Sequence, residues 1–143
     1  MIFKQCLPLC SISPSSVMLH RSLFDEIGYF DETLPASEDY DLWLRLCAKF
    51  PILFVNEPLL KKYGGHRDQL SPKHWGMDRF RIPALETILQ IDQLNKDNQQ
   101  AAIDMLILKA NVLLQGARKR EKNADIERYE ILLQRYIKSG TTA

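Results

Sequence analysis

The stretch Ser37-Glu38-Asp39-Tyr40-Asp41-Leu42-Trp43-Leu44-Arg45 constrains the fold more than any other part of this 143-residue chain. It sets acidic residues against large apolar ones at helical spacing. Ser37 suits an N-cap. Glu38, Asp39 and Asp41 would then fill the first turn, where carboxylates meet the positive end of the helix dipole. At about 100° per residue, Tyr40, Leu42, Trp43, Leu44, Leu46, Cys47 and Phe50 cover one broad apolar arc. Asp41, Arg45 and Lys49 form the opposite stripe, with Asp41 and Arg45 at i,i+4 spacing. Glu38 falls at the edge of that stripe, whereas Asp39 falls inside the apolar arc. A carboxylate aimed toward the packed side meets a buried donor or lines a cleft, because a lone buried charge is too costly. The plainer reading of the same pattern is a surface helix whose acids suit its dipole.

The rest of the chain is short enough for one domain and long enough to bury a core. Hydrophobic residues make up 45% and charged residues 26%, as in ordinary globular proteins, and a net charge of +1 argues against a strongly electrostatic nucleic-acid binder. No apolar run reaches the ~20 residues of a membrane helix. Met1–Cys10 is too short and interrupted for a signal peptide. Cys6, Cys10 and Cys47 cannot all pair and have no metal-type spacing with the histidines, so reduced thiols in a cytoplasmic setting are expected.

Along the chain, residues 1–12 are apolar but irregular, with Pro8 breaking any long element. Ser13-Pro14-Ser15-Ser16 reads as a turn leading into Val17-Met18-Leu19-His20, a short strand. Arg21–Ile27 fits two helical turns, with Gly28 as the residue just past the helix end. After Phe50-Pro51, Ile52–Val55 reads as a strand, and Leu59–Tyr63 as another after the turn Asn56-Glu57-Pro58. Gly64-Gly65-His66 forms a hinge carrying a histidine.

From Gly76 the character becomes helical. Pro83 suits the first turn of a helix running to about Leu94. Asn98 could cap a second over Ala101–Gln115, ended by Gly116 and apolar almost all round, hence largely buried. Asn123 could cap a third, ended by Gly140, with Ile126, Tyr129, Leu133, Tyr136 and Ile137 in one stripe. The expected fold class is therefore α/β (α+β in isolation), mostly helical overall. Residues 1–75 carry a few short strands and residues 76–143 form a helical bundle or hairpin. So meagre a set of strands needs partners.

Three blocks carry a family resemblance. These are Ser15-Ser16-Val17-Met18-Leu19-His20-Arg21-Ser22-Leu23-Phe24, then Ile27-Gly28-Tyr29-Phe30-Asp31-Glu32, then Glu38-Asp39-Tyr40-Asp41-Leu42-Trp43-Leu44-Arg45. In order and spacing they resemble the C-terminal half of bacterial family 2 glycosyltransferases, as do Glu57-Pro58-Leu59, Tyr63 and His66 downstream. The likeness covers roughly residues 11–71. The tail, with Gln69-Leu70-Ser71 and Trp75–Arg81, looks like the helical extension some members carry.

The resemblance implies an A-type fold and an inverting hexosyltransferase. Such an enzyme moves a sugar from a nucleotide-sugar to an acceptor hydroxyl of a cell-envelope polysaccharide or glycolipid. It makes Asp39 the general base and Glu38 its neighbouring acid. An inverting displacement needs a carboxylate to take the hydroxyl proton, and an Asp at a helix N-terminus stays ionised as a base must. Ser15 and Ser16 match a substrate-lining loop, although on the residues alone turn residues fit nearly as well. His66 matches a histidine that helps hold a divalent metal, manganese or magnesium. Trp43 reads as core, and His20 and His74 as structural or surface residues.

One departure from the family matters. No Asp-x-Asp follows a strand, and no opening β-α-β unit precedes the matching blocks. Asp39-Tyr40-Asp41 has the letters, but residues two apart on a helix point about 200° from one another. The expectation is a transferase fragment lacking its nucleotide-binding half. It would be inactive and metal-free alone, cytoplasmic or membrane-peripheral, and would form homo-oligomers through an exposed sheet edge. The alternative is a non-catalytic helical interaction module with a relic transferase segment. A small hydrolase with paired carboxylates fits poorly, because adjacent Glu38 and Asp39 diverge.

Overall fold

In a computed structural model, the described residues are 1–61, 63, 76–91 and 94–140, with side chains described as far as residue 137. Six helices occur among them: α1 (Phe3–Cys6), α2 (Leu23–Ile27), α3 (Glu38–Lys49), α4 (Asp78–Gln90), α5 (Lys96–Lys119) and α6 (Asn123–Gly140), with a 3-10 turn at Pro14–Ser16. No strand is present among the described residues. This overturns the expected α/β A-type architecture. Val17–His20, Ile52–Val55 and Leu59–Lys61 lack regular secondary structure and have no ladder partner. A strand is defined by pairing, and β-branched or apolar residues supply only the tendency to pair. Homo-oligomerisation through a sheet edge falls with the sheet.

α3 is the centre of the molecule. Tyr40, Leu42, Trp43, Leu44, Leu46, Cys47 and Ala48 are all buried, on nearly every side of the helix. One side joins the main core with Phe3, Cys6 and Leu7, with Ile82, Leu85 and Ile88 of α4, with Ala102, Leu106 and Leu113 of α5, and with Tyr129 and Leu133 of α6. The other side, Leu42, Trp43 and Leu46, meets Ile27 and the partly buried Ile12, Val17, Leu19, Leu23, Phe24 and Phe50 in a smaller cluster. Trp43 is core, as its spacing suggests. Its indole N–H finds no partner among the described residues.

The polar stripe of α3 is internal as well. Asp41 is buried and accepts from Arg45 Nε at 3.0 Å and Nη2 at 2.6 Å. Arg45 reaches on from this pair: Nη1 donates to the Ile27 carbonyl and Nη2 to the Tyr29 carbonyl at 2.8 Å. Lys49 Nζ donates to the Glu26 carbonyl at 3.2 Å. The last residues of α2 and the turn that follows are thus clamped onto α3 by the side chains expected to face solvent. Gly28 makes the clamp possible. Its φ of +77° and ψ of 177° belong to a region almost reserved for glycine, and a Cβ there would meet Arg45 Nη1 at 3.4 Å. Phe24 and Tyr29 then stack with centroids 5.1 Å apart.

Ser37 stands at the start of α3 with φ 65° and makes no side-chain cap hydrogen bond, contrary to the expected N-cap role. A capping serine uses an extended backbone to aim its oxygen at the first turn, and a left-handed one turns it elsewhere.

The tail helices form, with shifted limits. α4 begins at Asp78, so Pro83 lies inside it rather than in its first turn, and the helix stops at Gln90. The ring removes one rung of the hydrogen-bond ladder while Ile82, Ala84 and Leu85 stay packed. Asn95, not Asn98, caps α5, its side chain accepting from the Asn98 N–H at 2.8 Å. α5 runs on through Gly116 and is not buried all round. Ala102, Leu106, Ala110, Leu113, Leu114 and Ala117 form its inner stripe, while Leu108 and Val112 are exposed. On α6, Tyr129, Leu132 and Leu133 are buried, and Ile137, expected in the stripe, is exposed.

Candidate functional site

The start of α3 is approached by the chain between α1 and the 3-10 turn. Leu7 offers its carbonyl to the Tyr40 hydroxyl at 2.7 Å, deep in the core. Three residues further on, the Cys10 thiol donates to Asp39 Oδ2 at 3.1 Å and contacts the Ile12 carbonyl at 3.3 Å. Asp39 Oδ1 accepts from the Tyr40 backbone N–H at 2.7 Å. Asp39 is half-buried, and it meets a donor on the packed side of its helix. Burial pushes the Cys10 thiol up to about 12, and its hydrogen bond to Asp39 and the Asp39 charge act in the same direction. Near neutral pH the thiol is therefore a protonated donor rather than a nucleophile.

Glu38 is also half-buried. Consecutive helix positions diverge by about 100°, so the two carboxylates do not converge on one atom. Asp41 is committed to Arg45. Burial raises its carboxyl above the usual range, with the Arg45 hydrogen bond and charge opposing. Ser15 and Ser16 are exposed on the 3-10 turn. The Ser16 hydroxyl donates to the Ser13 carbonyl at 2.9 Å, and the Ser15 and Ser13 hydroxyls lie 3.1 Å apart. Among the described residues no hydrogen bond links either serine to Asp39. His20 is exposed, with Nδ1 2.7 Å from the Ser22 hydroxyl. His66 and His74 lie outside the described residues.

A second polar cluster joins the tail to the same N-terminal segment. Asp78 Oδ1 accepts from Arg81 Nη1 at 3.0 Å and from Lys109 Nζ at 2.8 Å, and Lys109 also donates to the Pro8 carbonyl at 2.8 Å. Burial alone would raise the Asp78 carboxyl. The hydrogen bonds and charges of Lys109 and Arg81 outweigh it and hold the group below the usual range. The Arg81 guanidinium lies 5.8 Å from the centroid of the Tyr40 ring. Sequence reasoning missed both Cys10 and this cluster. Their partners are 29, 31 and 101 residues away, beyond any local spacing.

Two hollows among the described residues lie away from Asp39. One of about 300 Å³ is lined by Met1–Gln5, Asp97 and Asn98, and one of about 60 Å³ by Glu26, Ile27, Arg45, Lys49, Ile88 and Ile91. No three His, Cys, Asp or Glu side chains converge among the described residues as a cation site would require. Among the described residues no helix is long and apolar enough to cross a membrane.

Part of the chain is similar to known proteins. Over 58 residues, 41% of the chain, it is 41% identical to an uncharacterized glycosyltransferase of Rickettsia felis. It is 40% identical to one of Rickettsia conorii and 38% to one of Rickettsia bellii over the same length. The chain spans only 8–10% of the length of these relatives. No protein-family profile matches it, and no solved structure matches it. Part of the chain is thus related to glycosyltransferases.

Proposed function

We propose that this chain carries the acceptor-side portion of an inverting glycosyltransferase site, with Asp39 as general base and Glu38 as its neighbouring acid. The observation that carries the reading is the 58-residue likeness to transferases. The placement of Asp39 supports it: a half-buried carboxylate in the first turn of the most buried helix, steadied by one thiol and one backbone N–H. In the reaction, Asp39 takes the proton of the acceptor hydroxyl while that oxygen bonds to the anomeric carbon. The bond from the anomeric carbon to the nucleoside diphosphate breaks, and the diphosphate leaves with its electron pair. Ser15 and Ser16 would line the cleft from the 3-10 turn.

The donor side is proposed to come from a nucleotide-binding portion such as the much longer relatives have room for. Met18, Leu53 and Phe54, at 98%, 92% and 85% exposed, fit a surface that such a portion would cover. The chain would then act in two units, 1–75 carrying the catalytic residues and 76–143 bracing them. Calorimetric titration of the chain alone with uridine and guanosine diphosphate-sugars plus manganese is expected to stay at baseline. Micromolar binding would show the site to be complete without a further portion. In a completed enzyme, Asp39→Asn is expected to lower transfer by about 10²–10⁴-fold with folding intact, whereas undiminished transfer would remove Asp39 as the base.

A non-catalytic interaction module is the second reading. Leu108 and Val112 on α5 and Ile131 and Ile137 on α6, all more than half exposed, are the observation that favours it. A stable oligomer whose assembly fails on Leu108→Glu with Val112→Glu would support it.

A further inference from the structure

We infer that Cys6 and Cys47 form an oxidative cross-linking site, a buried dithiol that a hydroperoxide converts to a disulfide. Their sulfurs lie 3.9 Å apart, on α1 and α3 and 41 residues apart in sequence. Both are essentially sealed, at 1% and 0% exposure. A disulfide needs an S–S distance of about 2.05 Å, so rotation of the side chains and a small slide of α1 must close roughly 2 Å. α1 is a single turn of four residues, too short to be held by its own hydrogen-bond ladder, so it opens locally more readily than the twelve-residue α3 and admits a small oxidant. This inference does not depend on the transferase reading.

The pair is asymmetric. The two thiols are in hydrogen-bond contact in which either sulfur can donate, but Cys6 sits on the four-residue α1 and Cys47 within the twelve-residue α3. Cys6, carried by the element that opens, is therefore the attacking sulfur and Cys47 the resolving one. The Cys6 thiolate attacks one oxygen of hydrogen peroxide, the O–O bond breaks, hydroxide leaves, and Cys6 becomes a sulfenic acid. The Cys47 sulfur then displaces the sulfenic hydroxyl. An S–S bond forms, and water leaves with the Cys47 proton. Overall two thiols give up two electrons and two protons, and the peroxide is reduced to two waters.

The third thiol supplies the contrast. Cys10 is less buried than either member of the pair, so accessibility alone would make it the first to oxidise. Its proton is held by burial and by Asp39, which keeps it a poor nucleophile. The cross-link would pin the N-terminal turn to α3 and shorten the range of the following residues, which touch Tyr40 and Asp39.

The test is to expose the full chain, natively folded, to hydrogen peroxide, then unfold it, alkylate the remaining thiols and map its peptides. The expected product joins the Cys6 and Cys47 peptides with the loss of two hydrogens and leaves Cys10 alkylated. Tm rises by roughly 5–10 °C, because the link closes a long loop in the unfolded chain, and dithiothreitol reverses the rise. Cys10→Ala keeps the cross-link, and Cys47→Ser loses it and traps oxidised Cys6. Should Cys47→Ser fail to fold, the wild-type peptide map decides alone. Three free thiols, oxidation of Cys10 alone, or a Cys6–Cys10 disulfide would each overturn the assignment.

Discussion

Asp39 and Cys10 show how a single carboxylate is placed by residues remote in sequence. The helical wheel puts Asp39 among apolar neighbours, and a carboxylate there needs a donor; the structure supplies the Cys10 thiol at 3.1 Å. The need for a donor was legible, because a 3.6-residue period fixes direction as well as occurrence. The identity of the donor was not, since nothing local ties residue 10 to residue 39. Ser37 shows the opposite failure. Its type suggests a cap, but a φ of 65° denies it that role, and no residue-type rule reveals the backbone twist. One consequence is measurable at this scale. Asp39→Asn removes the charge that helps hold the Cys10 proton, so the thiol titrates below its present value of about 12. Alkylation of Cys10 by iodoacetamide at pH 9 is expected to accelerate several-fold in Asp39→Asn, because each unit of lowered value gives about tenfold more thiolate. An unchanged rate would mean that the two groups do not interact. The raised thiol also sets an alkaline limit. Its contribution to stability is complete below the ordinary thiol value of about 8.5 and is lost as pH rises through the folded value.

Among the elements, α3 differs most from its expected role. Asp41, Arg45 and Lys49 read as a solvent-facing stripe, and i,i+4 spacing does pair Asp41 with Arg45. What spacing does not disclose is that Arg45 has donors left over, which it spends on the carbonyls of Ile27 and Tyr29. A guanidinium presents a rigid fork of five N–H groups, so one side chain can neutralise a buried carboxylate and tie down a passing loop. Arg45→Met is therefore expected to cost about 3–5 kcal/mol, because it strands Asp41 in the interior. The double variant Asp41→Leu with Arg45→Met should recover part of that loss. Urea denaturation of the two variants checks both values, and a loss under about 0.5 kcal/mol for Arg45→Met, the scale of an exposed pair, would refute the clamp. The missing strands have an equally plain cause. Ile52–Val55 is an unbroken apolar run, which periodicity cannot assign, and a ladder needs a neighbour that no described segment provides. The tail helices were legible from their stripes, whereas their limits shifted by several residues where Asn95 rather than Asn98 supplies the cap.

At the scale of the whole molecule, the tail and the N-terminal segment meet through Asp78, Arg81 and Lys109. Lys109 bridges the α4 carboxylate and the Pro8 carbonyl beside the candidate site. Since Asp78 is held below the usual carboxylate range, its pairs add stability that is present above about pH 3.9 and lost as pH falls through the lower folded value. Thermal melts of wild type and Asp78→Asn should thus differ at pH 7 and converge near pH 2, and a difference constant across that range would contradict the linkage. The transferase reading also belongs at this scale, because it joins a base-bearing helix to a donor side that lies in other residues. The most direct test is a chimera in which the matching stretch of the Rickettsia felis relative is replaced by the residues of this chain. Donor-dependent release of nucleoside diphosphate is then measured with and without Asp39→Asn. The chimera is expected to retain release within about tenfold of the parent, and Asp39→Asn to reduce it by about 10²-fold or more. A folded chimera whose release is unchanged by Asp39→Asn, or one that releases nothing while the parent is active, would contradict the transferase reading.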